Sequence, residues 1–328
     1  MNHHIFHVLK HWWPQRDSGQ WLLATVINTQ GSSYRKVGAM MMFNDAGFQQ
    51  GVISGGCLES DVLQQAQRCW LRNEARVITY DMEEEGDVAW RLGIGCGGVI
   101  TLLLQPVSAQ NQYLQLGQVL TELEAGRAVH YRQLAKNGEC WAECASQANE
   151  IVDTGSSYFS HDISVPPRLA VLGGGVDAQP LVSMASQLGW RTTINDSRAR
   201  YARQNDFPSA SEHSKHEAAD YVKSEAINCA DAIVLMHHQV GMDAKALRYI
   251  ANHSLPNLKY LALLGPGHRC DRVLDEAAIT SNDLPVELQA PAGLSLGGDL
   301  PESIALSILA QAHATMHGGD GRSLLGRF

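Results

Sequence analysis

The run Arg168-Leu169-Ala170-Val171-Leu172-Gly173-Gly174-Gly175-Val176-Asp177-Ala178 decides how the second half of this chain folds. The apolar residues up to Leu172 read as a buried strand, and positions 176–188 read as a helix stopped by Gly189. Between them Gly173, Gly175 and Ala178 fit G-x-G-x-x-A, a turn in which the chain leaves a strand and opens a helix. Glycines there permit a tight turn and let a phosphate approach the unpaired N–H groups of the helix start. Asp196 ends the next strand, 191–195, where an acid meets a ribose hydroxyl in dinucleotide-binding folds. Asp177 adds a negative charge to the first turn, which repels a pyrophosphate if it points inward. Two readings of the turn stand: a site for NAD(P) or another nucleotide, or a Rossmann-like domain that keeps the turn without using one.

Working outward from that turn, strands at 231–236 and 258–264 alternate with helices at 243–252, 269–278 and 301–316. Such alternation implies a parallel, doubly wound sheet. His237 and His238 follow the strand 231–236, at the edge where open α/β sheets bind ligands. Neighbouring strand residues point to opposite faces, so one of the two reaches a site, and His238 is the candidate. Gly265-Pro266-Gly267-His268-Arg269 occupies the equivalent edge of the next strand, as an anion-binding turn or an ordinary strand-to-helix turn. Upstream, residues 153–167 are polar, carry Gly155, Ser156 and Ser157, and close with Pro166-Pro167. They read as a linker between a first domain, 1–152, and a second, 168–328.

The first domain has a different pattern. Strand-forming stretches at 21–29, 39–43, 48–54, 75–81 and 99–104 are joined by a helix running to about residue 73, and a second helix covers 111–125. Residues 127–135 and 139–145 flank Lys136-Asn137-Gly138, a hairpin signal. This half is expected to be mixed α+β. Within it, Ser54-Gly55-Gly56-Cys57-Leu58-Glu59 and Gly93-Ile94-Gly95-Cys96-Gly97-Gly98 each frame one cysteine with glycines. Glycine at that density disfavours helix and strand alike, so the thiols sit on bare shelves and are not packed as small hydrophobes. A helix starting just after Cys57 puts its thiol near a positive dipole end, which favours thiolate. The two loops are expected to form one site. Ser32, Ser33, Tyr34, Arg35 and Lys36, between Gly31 and Gly38, combine hydroxyls, cations and backbone amides, which suit a phosphate or other oxyanion and equally suit a solvated loop. His3, His7 and His11 form a stripe on a short helix ended by Pro14 and read as a partly exposed face. Cys69, Cys140, Cys144, Cys229 and Cys270 lack zinc-ligand spacing and read as packing residues.

The chain has 328 residues, enough for two cores, and a net charge of −9, so no basic field draws nucleic acid or an anionic membrane. No apolar run is long enough to span a bilayer, and residues 1–5 lack the features of a signal peptide. The 7 cysteines are scattered through a large chain, as suits a reducing compartment, and the expected location is cytoplasmic.

Taken in order, Gly31-Ser32-Ser33-Tyr34-Arg35-Lys36 with Gly38-Ala39, the two cysteine loops, the turn from Gly173, Ala290-Pro291-Ala292-Gly293-Leu294 and Pro301-Glu302-Ser303-Ile304-Ala305-Leu306-Ser307-Ile308 resemble the XdhC/CoxI family. That family comprises maturation factors for molybdenum hydroxylases. The resemblance implies a non-catalytic chaperone that binds the molybdenum cofactor (molybdopterin), supports its sulfuration with a cysteine desulfurase and delivers it to an apo-enzyme such as xanthine dehydrogenase. It further implies Cys57 and Cys96, framed by Gly55, Gly56, Gly95 and Gly97, as metal-side or sulfur-handling groups. Thiolates are soft ligands suited to a sulfur-rich molybdenum centre. Ser32, Ser33, Arg35 and Lys36 are candidates for the pterin phosphate, with Gly173, Gly175, Asp196 and His238 as a competing place for it. A homodimer is compatible with these features. Two other functions fit the residues: an NAD(P)-dependent oxidoreductase with His238 as proton donor, and a sulfur-transfer protein acting through Cys57 or Cys96.

Overall fold

Apolar residues alternate sides along β1 (Trp21–Gly31), and both sides are buried, so this strand needs cover on two faces. The structure, a computed structural model, describes residues 3–56, 58–81, 98–145 and 157–323. The chain divides into two units, Met1–Val165 and Pro166–Phe328.

In the first unit β1 lies in the middle of an antiparallel sheet with β2 (Met40–Asn44), β3 (Gln49–Gly51), β4 (Arg76–Asp81) and β5 (Gly98–Val107), in the order β3-β2-β1-β5-β4. Leu22, Ala24 and Val26 face Val62, Ala66 and Cys69 of helix α2 (Glu59–Arg72). Trp21 and Leu23 face α1 (Ile5–Trp12), α3 (Leu116–Glu124) and a second sheet ordered β7-β6-β8, made of β6 (Val129–Leu134), β7 (Ala142–Ala145) and β8 (Tyr158–Ile163). Side chains as large as Trp12, Trp21 and Phe43 are fully buried here, and each contributes roughly 1.5–3 kcal/mol of transfer free energy. At the polar crossing between the sheets Gln133 Nε2 donates to Gln105 Oε1 at 2.8 Å and Thr25 Oγ1 at 3.1 Å, while Gln133 Oε1 is buried without a partner.

Two features depart from what the sequence predicts near the site. Residues 158–163, expected in the linker, form β8, which pairs antiparallel with β6 from Tyr158↔Leu134 to Ile163↔Val129. The polarity that suggests a linker belongs to the solvent side of an edge strand, where Ser160 and Asp162 face outward. Residues 153–156 of that expected linker lie outside the described residues. The second departure is a bulge: Val26 opposes Leu102 and Asn28 opposes Thr101, leaving Ile27 as an extra residue. Beyond the bulge β1 runs along β5 only, up to Gly31↔Gly98. The chain rejoins β1 where Gly38 N donates to Val26 O and Val26 N donates to Ala39 O.

The second unit is a doubly wound parallel sheet of β9 (Arg168–Leu172), β10 (Arg191–Asn195), β11 (Glu212–Ser214), β12 (Ala232–Leu235), β13 (Tyr260–Leu263) and β14 (Leu288–Gln289), ordered β11-β10-β9-β12-β13-β14. One face packs on α4 (Ala178–Gln187) and α7 (Pro301–His317) through Leu181, Val182, Ile308 and Leu309. The other packs on α5 (Val240–Ala251) and α6 (Gly267–Ala277) through Leu247, Ile250 and Val273. The order of strands reverses between β9 and β12, and that is the switch point at which such sheets open a crevice.

Candidate functional site

The loop 32–38 of the first unit is touched from two sides. Gly98, which ends the second glycine-framed loop, pairs with Gly31, and a Cβ on it would lie 2.4 Å from Ser32 O. Its φ of 138° is likewise a glycine conformation. From the other side the ring of Tyr34 covers Gly55 of the first glycine-framed loop, with Cδ2 3.7 Å from where a Cβ would be. Residues bordering both cysteine loops therefore meet one segment, and that segment carries Ser32, Ser33, Arg35 and Lys36. Cys57 itself, with Gly95, Cys96 and Gly97, lies outside the described residues. Among their neighbours Gly55 and Gly56 are exposed. Ser54 and Glu59 knot that loop: Ser54 Oγ donates to Glu59 Oε2 at 2.5 Å, and Leu58 N donates to Ser54 Oγ at 3.2 Å and Glu59 Oε2 at 3.1 Å. Helix α2 starts at Glu59, as the sequence predicts, and the Glu59 carboxylate takes up an N–H at its N-terminal end.

Beside this segment lies a cavity of about 430 Å³ whose walls include His3, His4, Arg35, Lys36, His161 and Asp162. Arg35 Nε, Ser33 Oγ and both ring nitrogens of His161 are buried without a hydrogen-bond partner. Asp162 Oδ1 is engaged by His130 Nδ1 at 2.8 Å. Burial pushes the His161 imidazole down to about 4, helped by His130 and opposed by Asp162. Burial, His7 and Arg35 hold His4 at about 4 as well. Both rings are thus neutral at neutral pH. His161 is stacked on Phe159 and meets Tyr131 edge-on, and a Cβ on Gly38 would press to 3.0 Å from its Cδ2. Sequence reasoning misses His161 and His4. A single histidine in a polar run carries no signal, and only the β6–β8 pairing brings His161 to the loop. Among the described residues no group of three or more His, Cys, Asp or Glu side chains is placed to hold a metal ion.

At the switch point of the second unit the structure brings Gly173, Gly175, Asp196 and His238 together. A Cβ on Gly173 would lie 2.5 Å from Met236 C, one on Gly174 2.4 Å from Ala202 N, and one on Gly175 3.3 Å from His238 Nε2. Gly173 and Gly174 are thus filled against the chain's own backbone, and Gly175 against a side chain. Asp196, expected at a ribose hydroxyl, is fully buried with both oxygens occupied. Oδ2 accepts from Gly174 N at 2.9 Å and Arg198 Nη2 at 2.7 Å, and Oδ1 accepts from Arg198 N at 3.0 Å and Nε at 2.9 Å. Burial alone would raise this carboxyl, but the Arg198 guanidinium and the N–H donors hold it below the usual carboxylate range. His238 is exposed, while His237 is buried with Nδ1 2.7 Å from Asp243 Oδ1. Arg269 donates to Asp243 Oδ2 at 2.6 Å and to the carbonyls of Leu264 and His237. It ties the β12 and β13 ends together, where the sequence also allows an anion ligand. Burial pushes the thiols of Cys69, Cys140 and Cys144 up to about 11, as packing cysteines require.

Residues 15–81 match the family model described as "XdhC and CoxI family", and residues 169–312 match the model described as "XdhC Rossmann domain". A Bacillus subtilis protein whose name makes it a probable xanthine dehydrogenase component is 28% identical over 314 residues, covering 90% of this chain and 93% of that protein. The Escherichia coli molybdenum cofactor insertion chaperone PaoD is 25% identical over 296 residues, covering 88% of this chain and 81% of its own. The crystal structure of a protein from Bacillus halodurans described as a xanthine dehydrogenase is 30% identical, covers 98% of each chain and matches with a TM-score of 0.80.

Proposed function

The chain belongs to the XdhC and CoxI family, and on that premise we propose that it is a chaperone of the molybdenum cofactor. It binds the cofactor as cargo, supports its sulfuration together with a cysteine desulfurase, and hands it to a molybdenum hydroxylase apo-enzyme in the cytoplasm. The observation that carries this reading is the meeting of Gly55 and Gly98, which border the two cysteine loops, on the segment 32–38. Cys57 and Cys96 then belong to the sulfur-rich metal end of the cargo, for which thiolates are suited. Ser32, Ser33, Arg35 and Lys36 belong to its anionic end. Unpartnered buried donors at Ser33 and Arg35 fit such an occupant, because a buried polar group without a partner is costly until something fills it. The name of the Escherichia coli relative supports the same role, and that of the Bacillus subtilis relative points to xanthine dehydrogenase as the enzyme served. The oxidoreductase reading has less support, since the Asp196 carboxylate already accepts from Gly174 and Arg198.

The test is pterin analysis of the protein purified from a host with an intact cofactor pathway. Wild-type protein is expected to carry pterin, and Cys57→Ala or Cys96→Ala protein to lose it while keeping the wild-type circular dichroism. Pterin at background level in the wild type refutes the role. Unchanged pterin in both variants refutes the part given to the thiols.

A further inference from the structure

The cavity beside segment 32–38 holds a positive charge that its described walls do not balance. Among the described residues neither Arg35 nor Lys36 has an acidic partner. The acid in the lining, Asp162, is hydrogen-bonded to His130 and offsets one of these two charges, which leaves one uncompensated. The same cavity is lined by His161, whose two ring nitrogens are buried and unpartnered. A neutral imidazole has one N–H donor and one acceptor, so it offers a hydrogen bond without adding a charge. The ring is held in place by Phe159, Tyr131 and the bare α-carbon of Gly38. The walls also include His4 and Ile5 at the start of α1, so the positive end of that helix faces the same space.

Resting on the reading of this segment as the anchor for the anionic end of the cargo, we propose that the cavity binds the phosphate group of a phosphate monoester, held by Arg35 and Lys36 and by an imidazole N–H of His161. A phosphate monoester carries about −1.5 to −2 charges at neutral pH, which draws it to the two cations against the single carboxylate of Asp162. The oxygens accept from the guanidinium, the ammonium and the imidazole, and charge-assisted bonds of this kind are the strong ones. At about 430 Å³ the cavity falls within the range of small-molecule sites, so the ligand has an organic body behind its phosphate. His161 thus becomes a ligand-binding residue of a site that the sequence marks only by the loop 32–36.

Isothermal titration calorimetry of the full chain with phenyl phosphate tests this. Lys36→Met and Arg35→Met are each expected to weaken binding about tenfold or more, the effect of losing one charged hydrogen bond. Lys36→Glu, at an exposed position that leaves folding intact, abolishes it. His161→Phe keeps the ring packing but loses the donor, and weakens binding about fivefold or more, whereas His161→Gln restores an N–H and recovers most of it. Wild-type protein that does not bind phenyl phosphate overturns the proposal, as do Lys36→Met and Lys36→Glu proteins that bind within about twofold of the wild type. Pterin content separates the two levels of inference. Wild-type protein that carries pterin but binds no phenyl phosphate sinks the subsite and leaves the chaperone role standing. Phenyl phosphate binding that is lost in Lys36→Glu protein, with no pterin in the wild type, supports the subsite and sinks the role.

Discussion

Acidification should loosen the first unit through two histidines. His4 and His161 each titrate at about 4 in the folded chain, against an ordinary value of 6.5. Both groups are neutral above the higher value, in the folded and the unfolded chain, and contribute no penalty there. As pH falls below 6.5 the unfolded chain takes up protons that the folded chain refuses, so stability declines through the window down to about 4. At about pH 5 the linkage amounts to roughly 2 kcal/mol per imidazole, and full titration to roughly 3 kcal/mol each. Replacing His161 by Phe removes one of these contributions while keeping a ring between Phe159 and Tyr131. Urea unfolding followed by tryptophan fluorescence reads the right unit, because every tryptophan except Trp190 lies in residues 1–165. The wild type should lose about 2 kcal/mol more than His161→Phe protein between about pH 7.5 and about pH 5. Parallel stability curves for the two proteins across that range would refute the reasoning, and with it the claim that His161 is buried as a neutral ring.

Other consequences are equally open to measurement. Gly98→Ala would drive a methyl group to 2.4 Å from Ser32 O at a φ of 138°. A loss of about 1–3 kcal/mol in urea melts is expected, together with weaker phenyl phosphate binding as segment 32–38 is displaced. Asp196→Asn turns one acceptor toward Arg198 and Gly174 into a donor and should cost about 3 kcal/mol in thermal melts at neutral pH. Because the Asp196 pKa is depressed on folding, its contribution is present above the unfolded value and fades as pH falls through the folded one, so the gap between wild type and variant should narrow in acid. Asp243→Asn removes the negative charge beside Arg269 and leaves one oxygen where Arg269 and His237 each meet one now, and about 3–5 kcal/mol should be lost. His238→Ala, at an exposed ring, should stay within about 0.5 kcal/mol of the wild type by the same assay.

Much of the second unit is legible because its information is local. β9, β12 and β13 each end at a glycine or a polar pair with a helix beginning a few residues later, and G-x-G-x-x-A marks the switch point in plain sequence. The role of Asp196 is not legible. Its position fits a ribose contact, but Arg198, two residues on, supplies a tighter partner, and no spacing rule says which of the two a carboxylate will choose. In the first unit the strands of the large sheet and the start of α2 follow from alternation and from the break at Gly55-Gly56. The cavity does not, because its walls come from residues 3–5, 34–40 and 161–164, brought together only by long-range pairing. β8 stays hidden because an edge strand with one wet face has the composition of a linker. Composition alone suggests that the glycine-framed loops converge, and the described trace of that is indirect: the ring of Tyr34 over Gly55 and the carbonyl of Ser32 against Gly98.

The extra residue at Ile27 has an outcome for how this fold can vary. Side chains alternate along a strand, so an additional residue in the ladder would exchange inside and outside for everything after it, and the bulge prevents this by leaving Ile27 outside the pairing. Deleting Ile27 would leave Asn28 opposite Thr101 and Gly31 opposite Gly98, so residues 28–31 would keep their faces and only the local bend of β1 would straighten. A single codon is therefore slack in the rope at this point, taken up or let out while the charged finger beyond it keeps its heading.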